Sequence, residues 1–460
     1  MAVNPLIFRE YDIRGLVETD LTTPDVREIG KGLGTFLKRQ GAKRFTVGRD
    51  GRLSSERIAN DLKEGLVSTG LEITDVGQCP TPVLYFSAPH LSMDGGVMIT
   101  GSHNPPEFNG IKTALGKTAV YGQQIQEIRS LIERNDYEKA SPLPVKSYAI
   151  LDPYVEFLSK NLKFDRAVRV GMDSGNGVGG SVAPKIFRAL GATVFDLYSE
   201  VDGRFPNHHP DPTVEKNLTA LKKLVAEKNL EVGVGFDGDA DRLGAIDQNG
   251  KVIWGDQLMT LFARDIVREH PGATVIADVK SSDHFFADVK KHGGNPIMWK
   301  TGHALIKNKL WTEKALLAGE MSGHFFFADR YFGFDDGIYA AGRLVEIVSR
   351  LGHTLSEELS DLPKAFNTPE IRVDCPDDVK FGLVDKVKAE FKKKGYETVD
   401  IDGVRVRFKD GWGLARASNT QPTLVLRFEA NSPEGLSRIE DEFKDVLGNE
   451  GFTLKTAAGH

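Results

Sequence analysis

Apolar positions along the chain gather into short β-branched runs, each followed by a Gly-, Ser- or Asp-rich loop and then a helical pattern. Three stretches share this order: residues 45–77 (FTVGRDGRLSSERIANDLKEGLVSTGLEITDVG), 168–198 (VRVGMDSGNGVGGSVAPKIFRALGATVFDLY) and 274–300 (TVIADVKSSDHFFADVKKHGGNPIMWK). Each predicts strand, loop, helix ending in Gly, and second strand, the βαβ unit of a parallel or mixed sheet. A spacing of roughly a hundred residues points to three related domains and not to a short-period solenoid. Turn formers collect at 139–154, at 247–255 around Asn249-Gly250, and at 361–378, which holds three prolines. Beyond that hinge the runs VRVRF and TLVLRFEA flank a polar loop, with helical stretches expected at 377–394 and 434–447. The expected fold is α/β: three similar mixed domains at 1–147, 148–250 and 251–365, then a smaller α+β domain at 366–460.

Bulk properties narrow the function. The 460 residues carry a net charge of −6 with no long Lys/Arg tract, which argues against a nucleic-acid partner. No run of about eighteen apolar residues is present, so no membrane span is expected. The N-terminus lacks a signal-peptide pattern. Two cysteines, Cys79 and Cys375, lie far apart, which fits a reducing, cytoplasmic setting better than a disulfide framework or a thiolate metal site.

Four loops carry the chemistry. TGSHNPPEFNGIK (100–112) follows the apolar run GGVMI, so Ser102 falls at a strand end, where α/β proteins place functional groups. The frame is not the GxSxG nucleophile elbow, which disfavours acyl transfer. Pro105 and Pro106 stiffen the loop, and Lys112 returns a cation toward it. In VGVGFDGDADRLGAID (232–247), Asp237, Asp239 and Asp241 alternate; in extended backbone they share one side. Three carboxylates so close call for a hard cation, and a short loop of oxygen ligands suits Mg2+. An EF-hand is excluded by Arg242 and Gln248 at its sixth and twelfth positions. Arg242 is placed to hold a phosphate or tether a carboxylate.

LAGEMSGHFFF (317–327) sets Glu320 and Ser322 on one side of a short loop, a carboxylate–hydroxyl clamp for adjacent sugar hydroxyls, with His324 as an acid or base. In ARASNTQPTLVLRFEA (415–430), Arg416, Ser418, Asn419, Thr420 and Gln421 form a dense donor cluster suited to phosphate. It lacks the P-loop pattern, so no nucleoside triphosphate is implied. Arg14, Lys280 and His303 are smaller candidates at expected strand ends. A serine, a metal triad, a sugar clamp and a separate phosphate cradle suit a sugar phosphorylated at either end, and hence phosphate relocation.

YDIRG, TGSHNPPEFNGIK, DGDADR, GEMSGH and RASNTQPTLVLRFEA occur in this order across nearly the whole chain. Together they resemble the α-D-phosphohexomutase superfamily, and within it the bacterial-type phosphomannomutase/phosphoglucomutase enzymes. The resemblance implies a heart-shaped fold of four domains. It implies that Ser102 is carried as phosphoserine and that Mg2+ is held by Ser102, Asp237, Asp239 and Asp241. It implies transfer between C1 and C6 of mannose or glucose phosphates through a hexose 1,6-bisphosphate that turns over in the cleft. Glucose 1,6-bisphosphate or mannose 1,6-bisphosphate would then prime the enzyme. Residues 416–421 would hold the phosphate that is not reacting; Glu320, Ser322, His303 and Lys280 would face the sugar. His103, Lys112 and His324 are the proton-transfer candidates, unranked. The last domain is expected to swing about residues 363–369, and the chain to act as a monomer or weak homodimer. Alternatives are a phosphoglucosamine mutase, which more often carries Gln at the position of Met321, a phosphatase-like enzyme, and a non-catalytic sugar-phosphate sensor.

Overall fold

The computed structural model describes residues 3–419 and 421–452. The three repeated stretches each form the expected pair of parallel strands around a helix. Arg44–Arg49 pairs with Glu72–Gln78, Arg169–Asp173 with Thr193–Leu197, and Thr274–Asp278 with Asn295–Trp299. On the other side of the first strand, each sheet adds a third parallel strand: Gly95–Ile99, Val232–Phe236 or Leu317–Gly319. A fourth then returns antiparallel: Phe108–Leu115, Leu243–Asp247 or Phe325–Phe327. The serine, aspartate and Glu320 loops are therefore the same structural object, the corner between the third and fourth strands of each sheet.

One face of the first sheet is covered by the helices Thr23–Arg39, Ser55–Val67 and Gln123–Glu133, whose apolar stripes form one core with Phe45, Val47, Val97 and Ile99. The first two helices meet at glycines: a Cβ on Gly65 would lie 2.7 Å from the Gly30 Cα. The opposite face carries Thr81–His90, whose core is continuous with that of the next two sheets. The buried helix Gly337–Arg350 joins this shared core; Asp336 caps it and accepts from Tyr154 at 2.7 Å and Tyr331 at 2.6 Å.

The last part has a core of its own. Its sheet runs Phe366–Asn367, Thr423–Ala430, Gly411–Ala417, Val404–Phe408, Glu397–Val399, with Ile371–Asp374 also on Thr423–Ala430. The helices Lys380–Lys393 and Pro433–Asn449 cover it, each within three residues of its expected bounds. Where this part meets the third sheet, Trp412 and Leu414 pack on Val279, flanked by polar contacts. Arg405 stacks on Trp412 and donates to the carbonyls of Val279 and Ser281, at 2.6 and 2.8 Å, and Ser282 donates to Glu429 at 2.8 Å. Among the described residues no helix is long and apolar enough to cross a membrane.

Candidate active site

Ser102 sits three residues beyond the end of the strand Gly95–Ile99 at a left-handed φ of +49°. Its hydroxyl donates to Asp237 Oδ2 at 2.9 Å and lies 3.1 Å from His103 Nδ1. The first corner thus meets the second across 135 residues of sequence. Arg14 reaches the same loop, donating to Asn104 Oδ1 at 3.1 Å while paired with Asp12.

Asp237, Asp239 and Asp241 converge, with ligand oxygens within 4.8 Å of one another. They do so in a turn and not in the extended backbone expected from their alternation, because Ala240 takes a left-handed φ of +60°. All three are fully buried, and Asp239 Oδ1 and Asp241 Oδ1 accept no hydrogen bond. Orphaned buried carboxylate oxygens are costly unless a cation meets them, so this all-oxygen set fits a hard divalent ion. A second grouping, Asp241, His324 and Asp335, suits a hard ion less well, because one of its three donors is an imidazole nitrogen. Lys112 donates to Asp239 at 3.1 Å and Asp241 at 2.7 Å, and Thr81 Oγ1 donates to Asp239 at 2.6 Å. The backbone N–H of Arg242 donates to Asp237 Oδ1 at 3.2 Å, while its guanidinium Nε lies 3.9 Å from Asp237 Oδ2 and 3.4 Å from His324 Nε2.

The third corner is a tight turn with Gly323 left-handed. It brings Ser322 Oγ to 3.2 Å from Glu320 Oε2 and 3.0 Å from His324 Nδ1. His324 also lies 3.5 Å from Asp241 and bridges the second and third corners. His303 stacks on His324 with ring centroids 5.8 Å apart. Electrostatics separates the proton-transfer candidates. Burial opposes charge on Lys112 and on His324, but Asp239 and Asp241 hold the Lys112 pKa well up, and Asp241 raises that of His324. Burial, with Arg242 and Arg14 nearby, pushes His103 well down; burial and Lys307 do the same to His303. Glu320 resists its burial and stays ionised, with a pKa of about 2, because His324 bonds it.

The fourth loop closes the far side. Arg416 pairs with Asp402 at 3.0 Å, Asn419 donates to Tyr11 at 2.9 Å, and the Tyr11 ring meets His303 edge-on at 5.6 Å. Ser418 Oγ accepts from the Gln421 N–H at 3.2 Å. The Gln421 side chain accepts from Arg372 at 2.7 Å. Thr420 lies outside the described residues. Lys280 is held between Asp278 at 3.8 Å and Glu370 at 3.1 Å. Tyr11, Thr81, Asp335, Glu370 and Asp402 went unread in the sequence. Only Tyr11, inside YDIRG, carried a local signal.

Models of the four phosphoglucomutase/phosphomannomutase domains match in order: α/β/α domain I at 5–139, domain II at 152–250, domain III at 254–366 and the C-terminal domain at 370–446. A phosphomannomutase/phosphoglucomutase of Pseudomonas aeruginosa is 45% identical over 441 residues, covering 96% of this chain and 95% of that protein. A Neisseria gonorrhoeae phosphoglucomutase is 43% identical over 444 residues, covering 96% of each. The crystal structure of a family member from Burkholderia thailandensis superposes with a TM-score of 0.92 at 42% identity, covering 98% of both chains. An Aspergillus fumigatus N-acetylphosphoglucosamine mutase solved with glucose 1,6-bisphosphate shares the fold at a TM-score of 0.60 and 13% identity. With four domain models matched in sequence and relatives this similar over nearly the whole chain, the protein belongs to the phosphoglucomutase/phosphomannomutase family.

Proposed function

We propose that this chain, a phosphohexomutase and hence an isomerase, moves a phosphoryl group reversibly between C1 and C6 of glucose and mannose phosphates, with Ser102 as the phosphoryl carrier. The observation that carries the reading is the Ser102 hydroxyl 2.9 Å from a buried carboxylate triad with two orphaned oxygens, facing the Glu320–Ser322–His324 cluster. Asp237, Asp239 and Asp241, with the phosphorylated Ser102, would hold Mg2+. When bound, the ion supplies Lewis-acid stabilisation of phosphoryl charge.

The chain's own residues do the rest. In the forward step the P–O bond to Ser102 Oγ breaks as a bond from phosphorus to a sugar hydroxyl forms. The hydroxyl proton passes to a neutral imidazole, for which His303 and His103 are poised. His324, whose charged form Asp241 favours, would return a proton to the departing Ser102 Oγ, and in the reverse direction each group gives back the proton it took. Lys112 stays an ammonium and offsets the triad. Glu320 and Ser322 take sugar hydroxyls, and Arg416, Ser418, Asn419, Thr420 and Gln421 take the phosphate that is not reacting. Glucose 1,6-bisphosphate or its mannose counterpart primes Ser102. We place the domain limits at 147/148, 250/251 and 365/366, and the chain in a reducing cytosol as a monomer or weak homodimer. Two buried free thiols support that setting.

The test is a coupled assay with glucose 1-phosphate and mannose 1-phosphate side by side, wild type against Ser102→Ala, with intact-mass measurement after incubation with glucose 1,6-bisphosphate. Wild type should gain one phosphoryl group and turn over both sugars; Ser102→Ala should do neither, with activity down at least about a thousandfold. Full activity in Ser102→Ala would end the reading.

A further inference from the structure

One buried arginine, in the loop of the first repeated stretch, touches the serine loop at four points. Arg52 follows the strand Arg44–Arg49, and its side chain is 1% exposed. Its Nη1 donates to the carbonyls of Pro105 at 2.7 Å and Phe108 at 3.0 Å; its Nη2 donates to those of Ser102 at 2.8 Å and Asn104 at 2.5 Å. Four Nη–H donors thus meet four carbonyls of one irregular loop. The remaining nitrogen, Nε, lies 3.2 Å from Asp50 Oδ2, and Asp50 also accepts from the Gly101 N–H at 3.2 Å. Gly101 is moulded to the guanidinium, since a Cβ there would stand 2.5 Å from Arg52 Cζ. Phe205 of the second domain lies against the guanidinium, its ring centroid 5.4 Å away.

This loop has no ladder of its own, and Ser102 sits in a left-handed conformation that a residue with a Cβ adopts only when its surroundings impose it. We infer that Arg52 is a positioning residue for phosphoryl transfer: it gathers four carbonyls of the loop onto one cation, so that the Ser102 hydroxyl is held at Asp237. Only a planar fork can do this. A lysine ammonium keeps the charge but offers three donors from one point and cannot span four carbonyls. The inference rests on the reading of Ser102 as the carrier.

The test uses full-length Arg52→Lys, charged with labelled phosphoryl from glucose 1,6-bisphosphate, and follows single-turnover transfer from the phosphoenzyme to glucose 6-phosphate. The expected result is a rate constant at least about thirtyfold below wild type, with KM within about threefold. A protein that is only less well folded would give a smaller amplitude at the normal rate, so a normal rate constant overturns the inference. Failure of a folded Arg52→Lys to accept label at all supports it. Gly101→Ala keeps every donor but displaces the guanidinium, and should show the same slow transfer; it carries the test if Arg52→Lys does not fold. If neither variant folds, Arg52 is a structural residue and the inference falls. If wild type itself never takes label on Ser102, the carrier reading fails first; if wild type does and the variants transfer equally fast, only the role of Arg52 fails.

Discussion

Lys112 shows how one side chain balances this site. Its ammonium, almost fully buried, bridges Asp239 and Asp241, and removing one partner of a buried ion cluster costs about 3–5 kcal/mol because charge is left unpaired. Lys112→Met should therefore lose about 3 kcal/mol in chelator. The same carboxylates, freed of a competing cation, should then take a divalent ion more readily, and ligand binding stabilises the folded state by mass action. The deficit should narrow in saturating Mg2+, read by denaturant unfolding with and without chelator. An equal deficit under both conditions would mean that Lys112 does not compete with the ion for the triad. Ala240 presents a closer contest. Its left-handed backbone costs about 1–2 kcal/mol relative to glycine, but Ala240→Gly gives up a buried methyl worth about 0.8 kcal/mol and frees the unfolded chain by about 0.4–1 kcal/mol. The terms cancel, so the variant should unfold within about 0.5 kcal/mol of wild type. That balance explains how alanine stands here without loss of the turn.

At the scale of elements, the three corners were legible because each follows an apolar run and opens on Gly with charged or hydroxyl residues, a local pattern. Their equivalence was not. It depends on the third strand joining the opposite side of the first and on an antiparallel fourth strand, and no local signal states which edge a strand joins. Thr81, Asp335 and Asp402 escaped for the same reason: Thr81 acts on a carboxylate 158 residues away. Gln421 was read as a phosphate ligand from its donor-rich loop and the family resemblance, and its pairing with Arg372, 49 residues away, had no local signal. Helix packing offers a test of the scaffold without touching the site. Gly65→Ala gains about 1 kcal/mol of helix propensity, but its Cβ would lie 2.4 Å from the Arg27 carbonyl and 2.7 Å from the Gly30 Cα. Rigid backbone cannot yield cheaply, and overpacking costs about 1–3 kcal/mol. Net destabilisation of about 1 kcal/mol is expected, with kcat per folded molecule unchanged; a gain in stability would show that the helices separate freely.

On the scale of the whole molecule, three sheets share one continuous core while the fourth part has its own and docks through polar groups around a small apolar patch. Such an interface can part and re-form without exposing a large apolar face, as a cleft that must admit and release a sugar phosphate requires. The Lys280–Glu370 pair is one clasp across it. Lys280 foremost, against the opposing effect of burial, lowers the Glu370 pKa from 4.5 to about 2. A depressed carboxylate contributes stability that is complete above its unfolded pKa and is lost as pH falls through the folded one, so the window here runs from about pH 4.5 down to about 2. A shift of this size corresponds to about 3 kcal/mol, but the Glu370 side chain is 29% exposed, and solvent screening reduces the figure to about 1–2 kcal/mol. Glu370→Gln has the same shape and cannot ionise. Its unfolding free energy should fall below wild type by that amount at pH 6, and the two should converge as pH drops toward 2, followed by fluorescence of Trp412, which lies at this interface. A gap that stayed constant with pH would show that the clasp acts through shape and hydrogen bonding, and that acid does not loosen the fourth domain through this pair.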